Sequence, residues 1–461
     1  MNGERYAIVL AAGKGTRMKS SLHKVLHPIG GKPMVEHIFS TLEQVGVNQI
    51  YLVVGHDADA VVERVGGRAI PVLQGEQLGT AHAVLQTESF LREKEGITLV
   101  INGDTPLVTA ETMKGLLSRH QETGAAATLL TTKLDRPTGY GRILYDEMGN
   151  VAKIVEEKEA TPAEKMIQEV NVGLYTFHTK FLFDAVKKIG NKNQQGEYYL
   201  TDIFPILQEM GQKISAYRTE NQQETISIND RIALSEAERI LRKRINETHM
   251  KEGVTLQDPE RTYIDADVRI GRDTVILAGT HLRGNTRIGE GCIIGPDVEI
   301  TDSIIGDEVT ISHSVLIESR VEEKTTIGPF AYLRPNSKIG KKVKIGDFVE
   351  IKNSSVGDGA KVPHLTYVGD AEIGARVNMS CGSITVNYDG VHKHKTVVEE
   401  DAFIGCNVNL VAPVTVGKGA FIAAGSTITD PVPPGALAVA RQRQVNKENY
   451  VAKLMAKKKG E

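Results

Sequence analysis

Near the N-terminus an apolar run, Ala7–Ala12, opens into Gly13-Lys14-Gly15-Thr16, with Arg17 and Lys24 close behind. Backbone amides in a glycine-rich turn, helped by nearby cations, hold phosphate. Spacing excludes two familiar phosphate loops. A P-loop needs GxxxxGKS/T, and a dinucleotide fingerprint needs a third glycine where Met18 stands. The fingerprint also needs an acidic residue about 20 residues on, at a strand end, where the helical run Pro33–Val45 lies instead. The glycines alone fit an ordinary turn between strand and helix equally well. Arg17 and Lys24 favour a polyphosphate.

The elements that must carry this loop alternate. Short β-rich runs, Ile50–Gly55 and Thr98–Asn102, are followed by helix-like segments, Pro33–Val45 and Ala110–Gln121 being the clearest. This order predicts βαβ units and a mostly parallel sheet over residues 1–228. Ligands of such sheets sit at the carboxyl ends of strands, where the Gly13 loop falls. Residues 229–252 read as a connecting helix. Ile232, Ala233, Ala237, Ile240, Leu241 and Ile245 recur at helical spacing. Asn229 is placed to cap its start, and Gly253 lies past its end.

A different beat runs through residues 253–461. Ile270, Ile276, Leu282, Ile288, Ile294 and Ile300 stand six apart. After a slip of one the beat continues at Ile305, Ile311 and Ile317, then at Ile327, Leu333, Ile339, Ile345 and Ile351, then at Val356, Val362 and Val368. A last set is Ile404, Leu410, Val416, Ile422 and Ile428. A period of six is the hexapeptide repeat of a parallel β-helix, with three hexads to a coil and the aliphatic residue inside. Glycine follows many of these residues and permits tight packing or turning at the corner. The beat fails between Met379 and Ile404, which predicts a surface excursion and a binding loop. Arg334 and Lys352, 18 residues apart, share one register. They should stack on one side of the prism and can share one phosphate.

Composition sets limits. At 461 residues the chain exceeds one ordinary core. A net charge of −3 argues against bulk nucleic-acid binding. No apolar run approaches the length of a membrane span, and the N-terminus shows no secretory pattern. Cys292, Cys381 and Cys406 cannot all pair within one chain and form no CxxC, so reduced thiols in a cytoplasm are expected.

The stretch LAAGKGTRM…KVL is similar to the glycine loop of nucleoside-diphosphate-sugar pyrophosphorylases. QGEQLGT (74–80), NGD (102–104), PTGYGR (137–142), GEYYLTD (196–202) and NDR (229–231) extend the likeness. Joined to a hexapeptide β-helix, the whole chain resembles the bacterial bifunctional N-acetylglucosamine-1-phosphate uridyltransferase/glucosamine-1-phosphate acetyltransferases. The resemblance implies a Rossmann-like nucleotidyltransferase domain, a connecting helix and a left-handed parallel β-helix. It also implies two reactions in sequence. The β-helix half acetylates glucosamine-1-phosphate with acetyl-CoA, and the N-terminal half joins the product to UTP with release of pyrophosphate. The UDP-N-acetylglucosamine so made feeds cell-wall polymers.

The resemblance assigns residues. Leu10, Ala11, Ala12 and Gly13 meet the nucleotide through their backbone, and Lys24 meets phosphate. Arg17 is added here as a pyrophosphate clamp. Gln74, Gly79 and Thr80 read uracil, while Gly141, Glu156 and Asn171 hold the sugar. Asp104, closing a strand-like run beside phosphates, suits Mg²⁺, which uses few protein oxygens, and the family supplies Asn229 as its partner. In the other half His364 matches the general base, since a neutral histidine can take the amine proton near neutral pH. Arg334, Lys352, Tyr367 and Asn378 form the sugar-phosphate site. Cys381, Asn387, Tyr388, Cys406, Ala424 and Arg441 match acetyl-CoA positions. Acyl transfer through a cysteine is the rival to direct attack, which needs only a held amine. A homotrimer with CoA between neighbours is expected from the family.

Four residues depart from the family pattern: His23, Asn102, Val172 and Pro363. They bear on fine sugar contacts and on the His364 loop, not on the reaction class. Two other readings stand beside this one: a sugar pyrophosphorylase with a regulatory β-helix, and a non-catalytic β-helix scaffold.

Overall fold

The structure, a computed structural model, describes residues 3–55, 58–147 and 149–459. The first and last two residues of the expected domains lie outside that range. The chain folds as two units, Met1–Arg242 and Lys243–Glu461.

In the first unit the glycine-loop strand, Arg5–Ala11, is central. It pairs in parallel with Gln49–Val54 on one side and Ile97–Asn102 on the other. Ile70–Leu73 continues the first edge. On the second side Glu169–His178 runs antiparallel between Ile97–Asn102 and Ala127–Lys133, and Ile214–Thr219 closes the sheet. Ala7, Ile8 and Val9 are fully buried, as strands covered on both faces require. Met34–Gln44 and Ala110–Thr123 supply apolar side chains to one face, and Thr179–Val186 and Ile203–Glu209 to the other. Strand order reverses at Arg5–Ala11, so a crevice opens where its carboxyl end meets that of Ile97–Asn102.

The connecting helix spans Arg231–Lys251. Its cap is not Asn229. Asp230 Oδ1 accepts from the amides of Ile232 and Ala233 at 3.0 and 2.9 Å. A shorter reach from the residue directly before the helix satisfies both orphan donors, and Asn229 is left to turn its side chain elsewhere.

The second unit is a three-sided prism with the architecture of a left-handed parallel β-helix. Its sides are parallel sheets of 11, 10 and 9 short strands. One continuous core runs from Val254 to Val432. The six-residue beat marks this core with two corrections. Leu316, not Ile317, points inward, because Ile300 pairs with Leu316 and neighbouring side chains on a strand face opposite ways. The beat also persists beyond Met379. Thr385 is buried at an inward position, its hydroxyl donating to the Gly369 carbonyl at 3.1 Å, and Val398 resumes the aliphatic series. The true excursion is the shorter segment between the strands Ile384–Val386 and Thr396–Val398.

Of the two roles expected for the repeat glycines, close packing is the commoner, while Gly295 and Gly328 also take positive φ, 114° and 103°. A Cβ on Gly289 would lie 2.7 Å from the Gly306 carbonyl carbon of the next coil. The left-handed corner turns are made by other residues, among them Asp297, Asn336 and Phe348, with φ of 52°, 63° and 56°. Buried hydroxyls tie these corners. Ser337 Oγ donates to the Arg334 carbonyl at 2.6 Å and Ser354 Oγ to that of Lys352 at 2.8 Å.

Candidate active sites

In the first unit Leu10 pairs with Asn102, and the Gly103 amide donates to the Leu10 carbonyl at 2.8 Å. The glycine loop and Asp104 therefore face each other across the crevice. Lys24 Nζ donates to Asp104 Oδ2 at 2.5 Å and to Asn229 Oδ1 at 2.7 Å. Arg17 Nη2 reaches the same Asn229 oxygen at 2.9 Å. Asp104 Oδ1 is buried and accepts no hydrogen bond among the described residues.

The crevice has two lobes. One, of about 300 Å³, is lined by Leu10, Ala11, Ala12, Gly13, Lys24, Gln74, Gly79, Thr80 and Asp104. The other, of about 470 Å³, is lined by Arg17, Gly141, Glu156, Asn171 and Asn229. Leu10, Thr80, Asn102 and Glu197 border both. All the nucleotide and sugar residues expected from the sequence thus meet in one crevice. Gly79 must be glycine, since its φ is +116° and a Cβ would lie 2.5 Å from the Tyr198 carbonyl oxygen. Gln74 is buried, its amide nitrogen 3.2 Å from the Gly79 carbonyl. Glu156 is no solvated charge. Burial pushes its carboxyl up from the ordinary value, and Thr201 donates to it at 3.1 Å. Asn171 Nδ2 donates to the Tyr175 hydroxyl at 2.7 Å, and its backbone amide donates to the Gly141 carbonyl at 2.8 Å. Sequence reasoning passed over Gln77, whose amide closes on the Ala12 carbonyl at 2.5 Å, and Glu197. Both stand inside stretches already singled out, QGEQLGT and GEYYLTD, which were the available signal.

In the second unit Arg334 and Lys352 follow paired strands, Leu333 facing Ile351 on adjacent coils. Each cation meets a carboxylate: Arg334 with Glu350 at 2.9 Å and Lys352 with Asp370 at 3.2 Å. Asn387 Nδ2 donates to Asp370 Oδ2 at 2.5 Å and to the Tyr367 hydroxyl at 3.4 Å. The excursion thus returns to the cation pair, and Lys393 comes with it. The like charge of Lys352 lowers the Lys393 pKa. Asn378 stands apart on another side, donating to Ser380 Oγ at 3.0 Å. Tyr388 is exposed, its hydroxyl donating to the Gly390 carbonyl at 2.6 Å.

His364 lies at a corner, with Nδ1 2.7 Å from Asp347 Oδ1. The hydrogen bond holds the Asp347 carboxyl below its ordinary pKa. Asp347 was legible in principle, because it precedes His364 by one coil. The same register carries His364 to Cys381, Cys381 to Cys406 and Cys406 to Ala424. Arg441 reaches the next position of that corner, where a Cβ on Gly425 would lie 3.9 Å from its Cδ. One corner column therefore gathers the expected base and four of the expected acyl-donor residues. Cys292 is elsewhere, buried in the prism core.

Comparison with known proteins divides the chain in the same way. A nucleotidyl transferase family matches residues 6–223, and a bacterial transferase hexapeptide family matches residues 267–302 and 395–430. A bifunctional protein GlmU of Geobacillus sp. (strain WCH70) is 57% identical over 455 residues, 99% of each chain. That of Halalkalibacterium halodurans is 55% identical over 449 residues, 97% of this chain and 99% of its own. That of Listeria monocytogenes serotype 4b (strain F2365) is 54% identical over 451 residues, 98% of this chain and 99% of its own.

Proposed function

Because this chain belongs to the family of the bifunctional GlmU proteins, we propose that it makes UDP-N-acetylglucosamine in two steps. Acetyl-CoA acetylates glucosamine-1-phosphate in the β-helix unit, and UTP uridylylates the product in the nucleotidyl transferase unit. One observation carries this reading: each unit holds a separate constellation suited to one of the two reactions.

In uridylyl transfer a sugar phosphate oxygen attacks the α-phosphorus of UTP and pyrophosphate leaves. Both reactants are anions, so positioning and charge neutralisation are the task. The smaller lobe holds uridine and the larger the sugar, with the Glu156 carboxylate accepting from a sugar hydroxyl. Lys24 and Arg17 meet the phosphates. No side chain forms a covalent intermediate.

A divalent cation fits here. Asp104 Oδ2 and Asn229 Oδ1 already converge on one positive charge, and Asp104 Oδ1 is an orphaned buried acceptor. Among the described residues no group of three His, Cys, Asp or Glu side chains is arranged to hold a metal. That suits Mg²⁺, which takes most ligands from phosphates and water. When bound it would neutralise charge developing on the phosphates.

In acetyl transfer the ionised Asp347 fixes His364 with its Nδ1 protonated. Nε2 then takes the proton as the substrate amine attacks the thioester carbon. Arg334, Lys352 and Lys393 hold the sugar phosphate. The thioester lies along the corner column, and thiolate leaves as free CoA. Phe330 and Phe348, stacked at 5.5 Å, and Leu365 stand exposed at the adjoining corner position. Such an apolar ridge supports a homotrimer around a closed threefold axis. No helix among the described residues is long and apolar enough to cross a membrane. In a cytoplasm Cys292, Cys381 and Cys406 would stay reduced.

The test is to mix glucosamine-1-phosphate, acetyl-CoA, UTP and Mg²⁺ and to follow free thiol and pyrophosphate separately. Both should appear, with pyrophosphate dependent on acetyl-CoA. Either product without the other would leave only half of the reading standing.

A further inference from the structure

Cys381 and Cys406 are 25 residues apart in sequence, and nothing in their spacing pairs them. The β-helix does. Asn378 pairs with Phe403 and Met379 with Ile404, so the corner residues that follow, Cys381 and Cys406, fall on adjacent coils. The excursion leaves the prism between them and accounts for the extra length. The Asn407 amide donates to the Cys381 carbonyl at 2.8 Å, and the Gly425 amide to the Cys406 carbonyl at 2.8 Å. Gly382 and Asn407 share the left-handed conformation, with φ of 73° and 54°, so the two corners turn alike. Adjacent coils lie about 4.8 Å apart, within the roughly 4.4–6.8 Å between Cα atoms that a disulfide bridges. Cys406 is exposed and Cys381 partly so. Cys292, by contrast, is buried, with its thiol 3.1 Å from the Gly306 carbonyl.

We infer that Cys381 and Cys406 are a redox modification site, which a peroxide links into an intrachain disulfide that closes the acyl-donor corner beside His364. The Cys406 thiolate attacks a peroxide oxygen. An S–O bond forms, the O–O bond breaks, and hydroxide or an alkoxide leaves, taking a proton from solvent to become water or an alcohol. The Cys381 thiolate then attacks the Cys406 sulfur. The S–S bond forms, the S–O bond breaks, and the hydroxide leaves as water with a proton from solvent. The two thiols give up two electrons, and the peroxide takes them. The link would cross the column along which acetyl-CoA approaches His364. Loss of acetyl transfer rests on the proposed function; formation of the disulfide does not.

The reduced full-length protein is treated with hydrogen peroxide, desalted, digested without reductant and analysed by mass spectrometry. A peptide joining Cys381 to Cys406 is expected. CoA release should fall by about tenfold or more, the scale on which a displaced reactant loses rate, and dithiothreitol should restore it. Pyrophosphate release from UTP and N-acetylglucosamine-1-phosphate should be unaffected. In Cys406→Ser the linked peptide should vanish, and the ratio of treated to untreated acetyl transfer should rise toward one. Recovery of both residues as thiols, as sulfinic acids or in intermolecular disulfides would overturn the inference. So would a linked protein that transfers acetyl groups at full rate. If the reduced protein transfers none, the proposed function fails while the linked peptide still decides the site.

Discussion

Lys24 Nζ lies 2.5 Å from Asp104 Oδ2. The ammonium also touches Asn229, so it stands between the two oxygens that would hold a divalent cation. Under the proposed function the lysine and such a cation would compete for one place, and the nucleotide would draw Lys24 to phosphate. Lys24→Met should raise the KM for UTP by about 10- to 100-fold, the loss of a charge-assisted contact. It should also tighten binding of Mn²⁺ to the nucleotide-free protein, read by electron paramagnetic resonance. Weaker Mn²⁺ binding would show that Lys24 does not occupy that place.

In the proposed acetyl transfer Asp347 acts through His364, to which it is hydrogen-bonded. Asp347→Asn keeps the shape of the side chain but removes the charge that stabilises imidazolium. The kcat of acetyl transfer should fall about 10- to 100-fold, with the KM for acetyl-CoA little changed and pyrophosphate release intact. Stopped assays of both products check this. Equal losses in both reactions would point to a folding defect instead.

The cations Arg334 and Lys352 each sit against a carboxylate. Lys352→Ala should raise the KM for glucosamine-1-phosphate by about 10- to 100-fold. Asp370→Asn should weaken binding too, although it removes negative charge from an anion site, because Asp370 anchors Lys352 and Asn387 together. Tighter substrate binding in Asp370→Asn would refute the anchoring role.

His120 predicts the acid response of the first unit. It is buried, bonded to Thr128 at 2.9 Å and tilted against the His178 ring at 5.1 Å, and burial pushes its pKa down to about 4. The unfolded chain, with a histidine pKa of about 6.5, then binds more protons than the native state between those values. Stability should be full above that window and fall by about 3 kcal/mol as pH drops through it. Urea unfolding at a series of pH values, compared with His120→Gln, measures the slope. An unchanged slope in the variant would remove His120 from the account.

The fold was legible because its beats are simple. The βα alternation and the six-residue period each follow from how side chains must face a core, and the structure shifts element ends by a residue or two. What escaped sequence reading lay where polar residues hold apolar places. Thr385 keeps the coil going inside an apparent break because its hydroxyl finds a carbonyl. Asn229 looked like a cap because asparagine is a good one, but Asp230 takes that role and leaves Asn229 facing Lys24. Glycine-loop and cation positions were readable from type and spacing. The counter-charges of the two β-helix cations, Glu350 and Asp370, were not, because a carboxylate on a repeat reads as an ordinary exposed residue until register places it beside a partner.

The central claim is that two reactions occupy two independent sites. His364→Ala tests it when supplied with each sugar in turn, with pyrophosphate as the readout. Given glucosamine-1-phosphate, acetyl-CoA and UTP, it should release almost no pyrophosphate, since the acid–base term is worth about 10²- to 10⁴-fold. Given N-acetylglucosamine-1-phosphate and UTP, it should release pyrophosphate at the rate of the unaltered protein. Loss of pyrophosphate with the acetylated sugar as well would contradict the account.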